Sequence, residues 1–82
     1  MDYVLTDHAQ KRLLKRKIQL EWVTATLENP AMTVSDSDDA ELAHALRSIP
    51  ERGFRVLRVI YNEAVKPLRV VTAYFDDEVT DL

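Results

Sequence analysis

Phe54-Arg55-Val56-Leu57-Arg58-Val59-Ile60-Tyr61 and Leu68-Arg69-Val70-Val71-Thr72-Ala73-Tyr74-Phe75 are two runs rich in β-branched and aromatic residues, separated by Asn62 to Pro67. Such residues suit a pleated, half-buried surface, and the spacer has a hairpin length, so the runs predict an antiparallel pair. In the first run Val56, Arg58 and Ile60 alternate with Arg55, Leu57, Val59 and Tyr61. In the second, Leu68, Val70, Thr72 and Tyr74 alternate with Arg69, Val71, Ala73 and Phe75. Both faces are substantially apolar, as expected of strands covered by helices on one side and forming part of a groove on the other. Arg58 and Thr72 interrupt that pattern. They read either as an edge arginine and an ordinary strand threonine or as members of a site.

Upstream, Pro50-Glu51-Arg52-Gly53 punctuates the chain before the hairpin. Ala40 to Ile49 is ambiguous, because its Ala, Leu and Glu content favours helix while Leu42, His44 and Leu46 set against Ala43, Ala45 and Ile49 decide nothing. Met32-Thr33-Val34 reads as a strand and Ser35 to Asp39 as a polar loop. Nearer the start, Asp7 followed by Gln10 has the spacing of a capping box and predicts a helix over about 8–16, with Ala9, Leu13 and Leu14 as its apolar stripe. A break near Lys17-Ile18 precedes a second helix carrying Leu20, Val23 and Leu27, stopped by Asn29-Pro30. Trp22 on that helix reads as a core or partner contact rather than an exposed stacking platform. Tyr3-Val4-Leu5 is a short β-prone piece before the first helix.

A chain of 82 residues reads as one domain, 1–82, and buries only about 60–65% of its unfolded surface, so its core is small. Hydrophobic residues at 46% and charged residues at 30% are those of a globular protein, and a single Gly with three Pro argues against a long flexible linker. The absence of Cys removes disulfides, thiolate metal sites and thiol nucleophiles, and fits a reducing compartment. No signal-peptide pattern and no membrane-length apolar run occurs, so the expected location is the cytoplasm, with no membrane partner. One Gly excludes a phosphate-binding loop and a dinucleotide fingerprint. Two His without Cys leave no familiar zinc motif, and no Ser sits in a nucleophile elbow. No cofactor is expected.

The net charge of -3 is unlike a simple nucleic-acid binder, but its distribution is uneven. Lys11, Arg12, Lys15, Arg16 and Lys17 crowd the first helix. Asp36, Asp38, Asp39 and Glu41 form one acidic patch, and Asp76, Asp77, Glu78 and Asp81 another. His8 and Arg12, four residues apart, lie one helical turn above each other on nearly the same face. An imidazole that titrates near neutrality beside a guanidinium suits phosphate chemistry, although such a pair is more often solvated than functional. His44 reads as a surface or strand histidine rather than a catalyst.

Leu5-Thr6-Asp7-His8-Ala9 with Arg12 and Arg16, then Ile18, Val23, Leu27 and Asn29-Pro30, then Ile49-Pro50-Glu51-Arg52-Gly53 and Arg55-Val56-Leu57-Arg58-Val59, and finally Val71-Thr72-Ala73-Tyr74-Phe75-Asp76, resemble the small bacterial proteins grouped as domain of unknown function 4258. That group in turn is similar to barnase, the colicin nucleases and the RelE and BrnT type messenger-RNA interferase toxins. The resemblance implies an α+β fold in which two N-terminal helices pack on a roughly four-stranded antiparallel sheet, with residues 41–48 as strand. It also implies a toxin-type endoribonuclease that cuts RNA, ribosome-bound messenger included, without a metal and is neutralised by an antitoxin protein. The implied site is His8 and Arg12 with Arg58, Thr72 and Tyr74. His8 would move the proton, the arginines would hold the phosphate, and Thr72 and Tyr74 would orient it or stack on a base. A non-catalytic interaction module on the same scaffold is the alternative. The chain departs from its relatives in carrying Lys17 where they tend to have Gly, and acidic residues after the last strand where they are often basic. Such a tail suits either a cover over the basic helix or a protein that has lost nuclease activity. The exposed edge of so small a sheet also predicts self-association, which a strict monomer in light scattering at high concentration would refute.

Overall fold

In the computed structural model, which describes residues 1–82, the chain is α+β. The elements are β1 (Tyr3–Leu5), α1 (Asp7–Arg16), α2 (Leu20–Glu28), β2 (Met32–Ser35), β3 (Leu42–Ile49), a 3-10 turn (Pro50–Arg52), β4 (Arg55–Asn62) and β5 (Leu68–Phe75). All strands join one sheet in the order β1-β5-β4-β3-β2. The expectation of four antiparallel strands is corrected at the N-terminus. Tyr3-Val4-Leu5 pairs parallel with Leu68, Arg69 and Val70, adding a fifth strand and making the sheet mixed. The remaining pairs are antiparallel.

Residues 42–49 are strand despite their helical composition, because β3 has a partner on each side. Its own alternation then makes sense, with Ala45 and Ile49 in the core beneath the helices and His44 and Leu46 on the opposite face. The core sets Ala9 and Leu13 of α1, Ile18, and Trp22, Val23 and Leu27 of α2 against Ala45, Ile49, Leu57, Val59, Val70 and Ala73. Trp22 is accordingly a core residue, its ring edge-on to Phe75 at 6.2 Å. Leu14 and Leu20, expected in the apolar stripes, are 81% and 53% exposed. Thr26 takes an interior place on α2, its hydroxyl donating to Trp22 O at 2.8 Å.

The simple alternation expected for β5 fails at one residue. Ile60 pairs with Thr72 and Tyr61 with Val70, so Val71 is an extra residue, a bulge. Leu68 and Val70 therefore share the helix-covered face with Ala73 and Phe75, while Thr72 and Tyr74 stand on the open face.

The first helix begins one residue earlier than expected. Thr6 is its N-cap, its Oγ1 accepting from Ala9 N at 3.0 Å, and Asp7 is the first helical residue, where its charge suits the positive helix end. The helix ends at Lys17, which adopts the left-handed conformation (φ 56°, ψ 42°) that a Gly would take without strain. Lys17 N donates to Leu14 O and Ile18 N to Leu13 O, and Ile18 turns into the core. A left-handed non-Gly residue costs roughly 1 kcal/mol or more. Lys17→Gly is therefore expected to stabilise the fold by about 0.5–1 kcal/mol, read as a higher urea midpoint with an unchanged slope.

Candidate functional site

The two halves of the expected site are built differently. On the open face, Arg58 of β4 lies directly opposite Tyr74 of β5, and Thr72 opposite Ile60, so Arg58, Thr72 and Tyr74 share one surface. His8 and Arg12 stack on α1, where Arg12 Nε approaches His8 Nε2 at 3.4 Å, a loose contact on an exposed imidazole. No hydrogen bond or ion pair joins this pair to the open-face residues. The link between the groups is Arg16, one turn beyond Arg12 in the same helix row. Its Nη1 donates to Ala73 O at 2.8 Å, and its guanidinium lies 5.8 Å from the centre of the Tyr74 ring. Because β1 ends opposite Val70, the outer half of β5 has no strand on that side, and Arg16 bonds the carbonyl left over there.

Arg58 is not a free cation. Its Nε donates to Asp76 Oδ2 at 2.9 Å, and both side chains are largely withdrawn from water at 16% and 15% exposure. Its Nη1 also lies 2.7 Å from His44 Nδ1, and His44 Nε2 lies 2.7 Å from Asp36 Oδ1. A guanidinium has no lone pair to offer, so His44 Nδ1 accepts and its Nε2–H donates to Asp36. Asp36 in turn accepts the backbone N–H groups of Asp38 and Asp39. A continuous chain, Asp36, His44, Arg58, Asp76, thus crosses β3 and β4. Three of its members, Asp36, His44 and Asp76, lay outside the site expected from sequence. They lie 8, 14 and 18 positions from their partners, so no local spacing marks them. Only the strand register, which makes His44 and Arg58 diagonal neighbours, brings them together.

The acidic tail does not cover the basic helix, as its charge suggested. It returns to β4 instead, Asp76 to Arg58 and Asp77 to Arg55, the latter as a bidentate pair with both bonds at 3.0 Å. That pair holds the exposed Asp77 carboxyl below the usual aspartate range and raises the Arg55 guanidinium.

The hydrogen bond from His44, followed by those from Asp38 and Asp39, lowers Asp36 from its ordinary value of 3.8. A carboxyl lowered by folding adds stability that is fully present above its unfolded value and is lost as pH falls through the folded one. Asp36→Asn is therefore expected to lower the urea midpoint at pH 6, by a difference from wild type that shrinks as pH falls below 3.8 toward the lowered folded value. Equal midpoints at pH 6 would show that Asp36 contributes nothing.

Searches of curated proteins and of solved structures find no match. Residues 5–75, running from the end of β1 through β5 and so containing both helices and every expected site residue, match the family described as Domain of unknown function (DUF4258), and the chain belongs to that family.

Proposed function

We propose that this chain is a toxin-type endoribonuclease that cleaves RNA without a metal. The supporting observation is the seating of the α1 basic row against β5. Arg16 bonds Ala73 and lies over Tyr74, so the row that carries His8 and Arg12 runs beside the strand that carries Thr72 and Tyr74. In the proposed reaction an RNA 2′-hydroxyl attacks the adjacent phosphorus, and the bond from phosphorus to the 5′-oxygen breaks. The products are a 2′,3′-cyclic phosphate and a 5′-hydroxyl. His8, exposed and adjacent to a cation, takes the proton from the attacking hydroxyl or returns one to the departing oxygen. Arg12 stabilises charge on the phosphate, Tyr74 offers a ring to a base, and Thr72 supplies a hydroxyl beside it. Arg58 stands beside Tyr74 as its cross-strand partner, held by Asp76 and His44, and would add to the stabilisation of the phosphate as the strand of RNA displaces part of that pairing.

The test is induced expression in a bacterial host, followed by growth and RNA integrity. Wild type is expected to arrest growth and leave cyclic-phosphate ends. His8→Ala, folded by circular dichroism, is expected to cut at least about 100-fold more slowly. Intact RNA in cells full of folded wild type would end the reading.

A second reading, a non-catalytic interaction module, draws on β2. All four of its residues are exposed, Met32 and Val34 among them, and its outer backbone edge faces no other strand. An antitoxin or a second copy of the chain adding a strand there would cover it. Co-purification of a folded partner with a chain that leaves RNA intact would favour this reading.

A further inference from the structure

Between the 3-10 turn and the outer half of β5 lies a cleft of about 300 Å³ lined by Arg16, Arg52, Arg55, Tyr74 and Phe75. The Pro50–Arg52 turn, closed by Gly53 in the left-handed conformation, sets Arg52 on its rim. The Arg52 guanidinium stands 5.1 Å from the centre of the Phe75 ring and 5.9 Å from that of Trp22, and Arg55 shares Phe75 at 4.6 Å. Arg16 lies over the neighbouring Tyr74. Three guanidiniums thus gather on two adjacent aromatic residues of β5, in a protein whose net charge is negative.

No carboxylate lines the cleft. Arg16 is held by a carbonyl and Arg52 by aromatic faces, which leave the in-plane N–H donors of a guanidinium available. Only Arg55 has an ionic partner, and the form of that pair is informative. Asp77, two-thirds exposed on the tail, presents two oxygens to the fork of Arg55 as a phosphate would. Like charges this close gain most from an anion that several of them can share, and Asp77 answers only one.

We propose that this cleft binds a phosphodiester of single-stranded RNA, and that Asp77 is a tethered carboxylate occupying Arg55 until a phosphate replaces it. The choice of RNA rests on the function proposed above, while the anion site itself stands on the three arginines. The strand would pass along the free edge of β5, with Tyr74 as the face on which a base stacks.

The test uses the full chain and a fluorescein-labelled 2′-O-methyl RNA oligonucleotide, which lacks the attacking hydroxyl and so reports binding without cleavage. Arg16→Ala and Arg52→Ala, shown by thermal unfolding to be folded, are each expected to weaken binding about tenfold. Each should also flatten the dependence of log K on log salt by about 0.7. Asp77→Asn is expected to tighten binding about threefold, a gain that misfolding cannot produce. Inorganic phosphate at matched ionic strength should leave the oligonucleotide bound. Unchanged affinity in the arginine variants, no gain in Asp77→Asn, or displacement by low millimolar phosphate would each overturn the assignment. Binding that behaves as expected in a chain that cuts no RNA would end the nuclease reading alone.

Discussion

Leu57→Ala is expected to remove about 3 kcal/mol of stability, the largest effect of any single change considered for this chain. Leu57 is fully buried on β4, the central strand of the sheet, in the core that α1 and α2 cover. The loss combines the transfer energy of the removed carbons with the cost of a cavity that strands bonded on both sides cannot collapse to fill. A domain of 82 residues has roughly 4–12 kcal/mol in total. The variant should therefore melt about 10–25 °C lower and approach the unfolded state at growth temperature. Circular dichroism against temperature and urea measures it, and a loss below about 1 kcal/mol would mean that the core repacks around the gap.

Arg58→Ala acts on the next residue and the opposite face, and is expected to cost about 2–3 kcal/mol for a different reason. It leaves Asp76 without its cation and His44 Nδ1 without its donor, both largely withdrawn from water. Most of the loss is the penalty of stranding those groups rather than the worth of the bonds. Removing the carboxylate as well should recover part of it. The double variant Arg58→Ala with Asp76→Ala is expected to be more stable than the sum of the single losses, with a coupling of about 1–2 kcal/mol. Strict additivity in urea unfolding would show that the pair is solvated in the free protein and energetically idle.

The two runs that form β4 and β5 were legible because their β-branched content is dense and their spacer short. The two helices were legible from caps and breaks. Residues 42–49 were not, because Ala, Leu and Glu favour helix locally and only two flanking strands override that preference. Tyr3-Val4-Leu5 is β-prone by its residues, yet its partner lies 65 residues away, beyond the reach of any local pattern. Thr6 and Asp7 are both capable N-caps, and the hydrogen bond to Ala9 decides between them. Of the site that the resemblance implies, Arg58, Thr72 and Tyr74 share a face, set by the register and the bulge rather than by any local pattern. His44 reads from sequence as a surface or strand histidine although its ring lies between Asp36 and Arg58, since a lone histidine in an ambiguous segment carries no signal without the register.

Val71 divides β5 into two half-strands of opposite phase, the inner one presenting its even-numbered residues to the helices and the outer one its odd-numbered residues. Tyr74 therefore reaches the open face through chain length rather than through its own chemistry. Deleting Val71 would remove the extra residue and leave a plain alternation in the same register, with Val70, Ala73 and Phe75 still toward the helices and Thr72 and Tyr74 still on the open face. A deletion at Val71 should therefore be tolerated far better than one in the regularly paired β3, where losing a residue reverses every side chain beyond it.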